Sequence, residues 1–561
     1  MMGNASAVVG RYAVRRMLLL FAVYLVLYIV FLGVRPLFMP DEVRYAEIAR
    51  EMLVSGDWIV PRLNGLLYFE KPPFGYWMNA LSIQVLGENP FAVRFASAIA
   101  VAVSAFTLYR LGRRYFASPR VAACAVFVFL TTFEVQAVGT YSVLDSMFAA
   151  ALNGGIALFA IAATEAAGKR HAYLAAAGLA LGIAFLAKGF LAFALPVLVL
   201  VPWLLLTRQY RLLIGQSWLV VIVAVATVAP WALAIDARQP DFWRYFFWVE
   251  HVQRFAAENA QHKAPFYYFL MYLPVVGFPW LFALPAAARA LQRGDRATRN
   301  PAAVSLVVLW AIVPLLFFSI ASGKLITYIL PCFLPFSLFV AAGLEQLHGD
   351  RATYRHGILA AALVPLSLLG LVLYLGLQGN PVPGYGASET GKLAALVAAL
   401  VFSVLLLCGG AILARQPRMR YLPGIAMIVI LVTLPFAIPA VTMERKAPVD
   451  FIRGVYSALP GNTIIVTDGS LLRAASWATR RSDLFVAEGR GETAYGLDAP
   501  DARGRFLSAN DLRTLVATGS PVLVLCKGGC QPSTLAALPA GGREWFFGDF
   551  AAYATVAVSH Q

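Results

Sequence analysis

The sequence predicts a mainly α, polytopic membrane protein of about thirteen transmembrane helices, with juxtamembrane helices on the outer surface and a soluble α/β domain at the C-terminal end. Three observations predict it. Hydrophobic residues make up 60% of the chain and charged residues only 13%, whereas a soluble domain carries about 25% charged residues. Mean hydropathy is +0.72, a surface that only lipid accommodates. Runs of the roughly 20 apolar residues that a bilayer core requires recur along the chain.

The apolar segments fall at 12–35, 92–114, 119–138, 145–165, 171–187, 190–207, 216–236, 266–290, 302–322, 325–345, 356–377, 391–414 and 421–442. The first follows Arg11, Arg15 and Arg16 and ends at Arg35-Pro36 without a small-residue cleavage site. It therefore reads as a retained helix rather than a signal peptide, with the N-terminus in the cytoplasm. Charge supports the alternation. Arg113, Arg114 and Arg120, then Lys169 and Arg170, then Arg208 and Arg211, then Arg289, Arg293, Arg296 and Arg299, then Arg351 and Arg355, then Arg415, Arg418 and Arg420 all fall in loops of one side. Most opposite loops are short and nearly free of Lys and Arg, apart from the single lysines Lys188, Lys324 and Lys392. This is the positive-inside pattern. The net charge of +16 is explained by it, and no basic patch interleaved with aromatics suggests a nucleic-acid partner.

Residues 1–443 form the predicted transmembrane domain and 444–561 the α/β domain, placed outside by the odd number of spans. Two outer loops, 36–91 and 237–265, are long and polar, and such loops tend to carry function. In the first, Val43, Tyr45, Ile48, Ala49, Met52 and Leu53 recur at helical spacing, which predicts a short helix on the membrane surface. A second helix is expected from Phe74 to Leu86, ending at Gly87, with Pro61 to Pro73 as loop. In the tail, Asn462–Thr467 and Pro521–Leu525 read as strands, with helix-like stretches between. Cys526 and Cys530 form either a disulfide or leave a buried thiol at the strand end.

Several residues are candidates for chemistry. Asp41 follows the first span and Asp145 opens the fourth, and each is either a helix N-cap, a carboxylate at the membrane boundary, or both. Two carboxylates on one side suit glycosyl transfer, where they stabilise positive charge developing on the sugar. Arg44, Lys71, Lys188 and Lys324 either snorkel to lipid phosphates or clamp the phosphate of a carrier. Glu70 and His251 in the two long loops are a thin donor set for a divalent cation, with zinc as the candidate. A transporter would place ionisable residues deep in helices and repeat its halves. Glu134 is the main such residue, and no repeat is evident.

Six stretches carry a family resemblance. They are Pro40-Asp41-Glu42-Val43-Arg44-Tyr45 through Asp57-Trp58, Tyr68-Phe69-Glu70-Lys71-Pro72 with Gly75-Tyr76-Trp77, Gly139-Thr140-Tyr141 with Leu144-Asp145, Ala187-Lys188-Gly189-Phe190-Leu191, Phe246-Phe247-Trp248-Val249-Glu250-His251 with Gln253-Arg254-Phe255, and Gly323-Lys324-Leu325 with Thr327-Tyr328-Ile329-Leu330-Pro331. In order, and covering most of the chain to about residue 345, they resemble the lipid A aminoarabinose transferases. The resemblance implies a GT-C-type glycosyltransferase, related to protein O-mannosyltransferases. The implied donor is undecaprenyl-phosphate-4-amino-4-deoxy-L-arabinose and the implied acceptor a lipid A phosphate, at the periplasmic face of the inner membrane. Loss of lipid A charge then lowers the binding of polymyxin and cationic peptides.

By the same resemblance Asp41 and Asp145 are the catalytic carboxylates. Arg44, Tyr45, Tyr68, Lys71, Lys188, Arg254, Lys324 and Tyr328 are the carrier-phosphate and substrate-binding set. A lipid A phosphate is already an anion, so Asp41 is expected to orient the acceptor through a cation or metal, or to bind the sugar's ammonium, rather than to remove a proton. Direct attack on the anomeric carbon inverts it. The runner-up is a polyprenyl-phosphate-mannose-dependent O-mannosyltransferase.

Overall fold

The computed structural model describes residues 2–253, 262–293, 300–346, 351–378, 382, 384–412, 420–539 and 541–555. It divides into two compact units. One comprises Met1–Leu32, Arg94–Val382 and Gly391–Ala437, and the other Gly33–Val93, Pro383–Thr390 and Ile438–Gln561.

The first unit is a helical bundle. Among the described residues eight helices are long and apolar enough to cross a bilayer, and eleven are counted when each of three bent pairs is one span. With Met2–Tyr28 and the shorter apolar helix Leu191–Leu206, every one of the thirteen predicted segments has its helix. Small residues set the closest packing, as expected where lipid supplies no hydrophobic drive between helices. Leu144–Ala163 and Ala167–Lys188 form an antiparallel hairpin. A Cβ on Gly155 would stand 2.5 Å from Leu181 Cδ2, so only glycine lets the two helices meet there. Gly178 and Gly182 likewise admit helix Ser217–Arg238, since a Cβ on Gly182 would stand 2.6 Å from Thr227 Cβ.

One break in the bundle has a clear cause. Pro119–Leu130 and Phe133–Gly139 are bent by 63°. At the break, Thr131 Oγ1 donates to Phe127 O at 2.6 Å and Thr132 Oγ1 to Val128 O at 2.7 Å. Hydroxyls turned back onto the preceding turn bend helices in this way. Trp280 Nε1 donates to Thr131 Oγ1 at 2.9 Å and fixes the bend.

The second unit is built around a mixed five-stranded sheet. Its strands are β3 (Ile464–Asp468), β4 (Phe485–Glu488), β5 (Val522–Lys527), β6 (Arg543–Phe547) and β7 (Phe550–Ala554), in the order β4-β3-β5-β7-β6. The hairpin β1 (Arg62–Leu63) and β2 (Leu66–Leu67) stands apart from it. β3 pairs parallel to β4 and β5, while β7 is antiparallel to β5 and β6. The alternation of a strand sends Leu523 and Leu525 of β5 into one core and Val522, Val524 and Cys526 into another. Cys526 and Cys530 form a disulfide. The two strands expected from the sequence appear as β3 and β5. β4, β6 and β7 lie outside the expected strands: β4 has four residues, β6 is largely exposed, and β7 is rich in alanine, a weak strand former.

Residues 33–93 belong to this unit. Val43, Ala46, Ala49, Ala80 and Ile83 share a core with Ile452, Leu471, Ala475, Leu484, Leu523 and Phe550, and each buried aliphatic side chain of valine size or larger contributes roughly 1.5–3 kcal/mol. The helix Asp41–Ser55 forms as predicted, with Asp41 and Glu42 complementing its N-terminal dipole. It ends at Gly56, whose φ of 70° is the left-handed conformation glycine adopts freely. It is not the half-exposed surface helix expected from its periodicity. Glu42, Arg44, Glu47, Arg50 and Glu51 are all buried, because ion pairs replace solvent: Arg35–Glu42 at 2.6 Å and Arg50–Glu47 at 2.6 Å. Burial still pushes the Glu47 carboxyl well above its ordinary pKa.

The turn Asn64-Gly65 joins β1 to β2 with φ of 56° and 71°. Both residue types tolerate these angles, and the pair is a strong two-residue hairpin signal. Asn64 also ties the hairpin to the sheet. Its Nδ2 donates to Leu484 O at 2.9 Å, and its Oδ1 accepts from Leu484 N at 3.1 Å and from Ser476 Oγ at 3.3 Å.

Candidate active site

Two charge groups contain most of the residues expected to carry chemistry, one in each unit.

In the helical bundle, the hairpin Leu144–Ala163 and Ala167–Lys188 turns at residues 164–166, so its open ends meet. Asp145 lies in the first turn of one helix and Lys188 in the last turn of the other. Each charge complements its helix dipole. Lys188 Nζ donates to Asp145 Oδ1 at 2.5 Å, with the two side chains 10% and 14% exposed. The ammonium also lies 4.4 Å from the ring centroid of Tyr328 and 5.7 Å from that of Phe148. An aromatic face stabilises a partly desolvated cation. Asp145 does not cap its helix: Val143 holds the cap position, and the carboxylate is committed to Lys188 instead. Lys324 stands nearby in sequence to Tyr328, 3% exposed, and its ammonium donates to Ala264 O at 2.8 Å and to Ala321 O.

In the second unit, Asp41 also fails to cap. Pro40 occupies the cap position, and Asp41 Oδ1 accepts from Arg44 Nη2 at 2.5 Å, one helical turn on. Arg44 Nη1 pairs with Glu492 at 2.6 Å, and Glu492 pairs in turn with Arg473 at 3.2 Å. Arg44 Nη2 donates to the Tyr45 hydroxyl at 3.2 Å, with the guanidinium over that ring. Burial opposes the charge on Arg44, and the surrounding Tyr68, Tyr45, Glu492 and Asp41 outweigh it, so the guanidinium stays protonated. Tyr68 and Tyr76 are buried, which holds both phenols protonated. Glu70 lies within electrostatic reach of Tyr68, and Lys71 Nζ donates to Glu70 O at 2.7 Å.

The structure thus brings Asp145, Lys188 and Tyr328 together in one group, and Asp41, Arg44, Tyr45, Tyr68 and Glu70 in another. Glu492 and Arg473 were missed, since only the tertiary fold joins positions this far apart in sequence to residue 44. Arg254 lies outside the described residues, as does the side chain of His251. The zinc expectation finds no support: among the described residues no group of three or more His, Cys, Asp or Glu is arranged to hold a metal ion.

Comparison with known proteins accords with this arrangement. The family model of dolichyl-phosphate-mannose-protein mannosyltransferase matches residues 13–246, and that of the arabinosyl transferase ArnT C-terminal domain matches residues 443–540. The crystal structure of ArnT from Cupriavidus metallidurans bound to undecaprenyl phosphate aligns with a TM-score of 0.82 at 25% identity, covering 97% of this chain and 99% of that one. Fold and site define a polytopic membrane glycosyltransferase of the GT-C type. The undecaprenyl phosphate-alpha-4-amino-4-deoxy-L-arabinose arabinosyl transferase of Edwardsiella ictaluri is 40% identical over 506 residues, 89% of this chain and 90% of its own length. That of Aeromonas hydrophila is 40% identical over 492 residues, 87% of this chain and 89% of its own. The chain belongs to this arabinosyl transferase family.

Proposed function

We propose that the protein transfers 4-amino-4-deoxy-L-arabinose from undecaprenyl phosphate to a lipid A phosphate at the periplasmic face of the inner membrane. Adding a cationic sugar to an anionic lipid weakens the attraction of polymyxin and cationic peptides. Within the family, the observation that carries this reading is the Asp145–Lys188 pair beneath Tyr328, a cation held ready at the end of an apolar helix.

In the reaction, an oxygen of the lipid A phosphate attacks the anomeric carbon. The bond from that carbon to the carrier phosphate breaks, its electron pair passes to the phosphate oxygen, and the anomeric configuration inverts. The leaving phosphate gains negative charge in the transition state, which preorganised cations stabilise. In the bundle Lys188 is the cation for this, with Tyr328 against its ammonium; Lys324, Arg254 and, in the second unit, Arg44, Tyr45, Tyr68 and Lys71 are further candidate substrate-binding groups. The acceptor is already an anion, so no residue has to deprotonate it. Asp145 and Asp41 then act through their partners, each holding a cation in place.

Two observations support the orientation, with the N-terminus cytoplasmic and the second unit periplasmic. Arginines and lysines cluster in the loops of one side. The tail carries a disulfide, which persists in an oxidising compartment. Mass spectrometry of lipid A from cells with and without the gene tests the function. Aminoarabinose on lipid A only when the gene is present supports it, and unchanged lipid A rejects it. The mannosyltransferase model over residues 13–246 favours O-mannosyl transfer as the second reading, which a mannosylated protein and unmodified lipid A would establish.

A further inference from the structure

Glu134 is an acidic residue that the reaction as written leaves unused. It stands just after the Thr131–Thr132 break, in the helix Phe133–Gly139. It is 2% exposed, and its Oε1 has no hydrogen-bond partner among the described residues. A buried carboxyl oxygen without a partner is costly and calls for an explanation.

Its surroundings are those of the bundle's charge group. The Ser146 hydroxyl, next to Asp145, donates to Val138 O at 3.1 Å and ties the two helices together. The same short helix packs against Ile326–Cys332, which carries Tyr328, and against Tyr268–Val276. The Glu134 carboxyl lies within electrostatic reach of Asp145 and of Tyr268. Asp41 and Asp145 already hold a cation each at 2.5 Å. Glu134 has no ion-pair partner among the described residues.

We propose that Glu134 recognises the ammonium group of the donor sugar and so selects an amino sugar over a neutral sugar on the same carrier. This rests on the aminoarabinose reading above. A primary amine is protonated near neutral pH and offers three N–H donors. One of them satisfies the vacant Oε1, and the ammonium's charge favours the ionised carboxyl with which it pairs. A hydroxyl at the same sugar position supplies no such charge, and a site built around a buried polar group discriminates strongly against the substrate that leaves it unpaired.

The test uses the full chain in liposomes containing lipid A. Two donors are compared: undecaprenyl phosphate bearing 4-amino-4-deoxy-L-arabinose, and the same carrier bearing L-arabinose. The wild type is expected to favour the amino donor in kcat/KM by about ten- to a hundredfold, the range of a charge-assisted hydrogen bond. In Glu134→Gln that ratio falls to near one, chiefly through a raised KM for the amino donor. If Glu134→Gln keeps the wild-type ratio, the proposal fails while the aminoarabinose reading stands. If the wild type transfers no aminoarabinose at all, the functional reading fails first. Should the glutamine variant not fold, binding of the two donors to the wild type decides, and equal affinities overturn the proposal.

Discussion

Asp145 and Lys188 face each other across the open end of one helical hairpin, whereas Asp41 and Arg44 begin a chain of charges that continues through Glu492 to Arg473. The first pair is held by helix ends and an aromatic face. Among the described residues its lysine has a single carboxylate partner, with the rings of Tyr328 and Phe148 beside it. The second group is interlocked: Arg44 alone touches Asp41, Tyr45 and Glu492 and is itself buried. The difference teaches that two groups with similar residues need not do similar work. One is built to exchange partners, the other to keep them.

The sharpest way to break this contrast is Arg44→Ala. It leaves Glu492 and Asp41 without their shared cation, and breaking a buried pair costs about 3–5 kcal/mol. Thermal denaturation of the purified protein should show that loss together with lost transfer. A stable but inactive variant would move Arg44 into the exchanging class. Lys188→Met should lower transfer of labelled sugar by about a hundredfold, and because it leaves the part-buried Asp145 without its cation it should lower the melting temperature as well. Unaltered turnover would remove Lys188 from the phosphate site. Asn64→Ala sharpens the structural side, because it deletes the bonds to Leu484 and Ser476 and puts alanine at a φ of 56°. A loss of about 2–3 kcal/mol is expected, with the catalytic constants of the folded fraction unchanged.

The smallest effect concerns pH. The Arg481 hydrogen bond holds the Asp483 carboxyl below its ordinary value. The stability it supplies is present above about pH 4 and is lost as pH falls through the depressed value. The pair is largely solvent-screened, so Asp483→Asn should remove no more than about 0.5 kcal/mol at neutral pH and flatten the acid limb of the stability curve.

The spans were legible because lipid imposes length and composition on each helix independently of the others. The helix Phe74–Leu86 was legible because Pro73 and Gly87 bracket it. Asn64-Gly65 carried a hairpin signal that reading the segment as loop passed over. The cap sites lie one residue before Asp41 and two before Asp145. Pro40 and Val143 take the cap sites, and each carboxylate finds a stronger partner in a cation than in backbone N–H groups. Glu492 could not have been found from sequence, since it lies 448 residues from Arg44. Glu134 was visible as an ionisable residue in an apolar run, but its unsatisfied oxygen appears only once the bundle is packed.

The core shared by residues 33–93 and the tail has a consequence for biogenesis. Asn64 is bonded to Leu484, 420 residues later in the chain. At a synthesis rate of about 5–20 residues per second, the early segment waits roughly 20–80 s before its partner strand exists. During that interval the apolar side of helix Asp41–Ser55, with Val43, Ala46 and Ala49, has no sheet domain to cover it. A ribosome stalled in the last quarter of the message would therefore leave behind an inserted bundle with an adhesive, unfinished loop, a natural substrate for quality-control proteases.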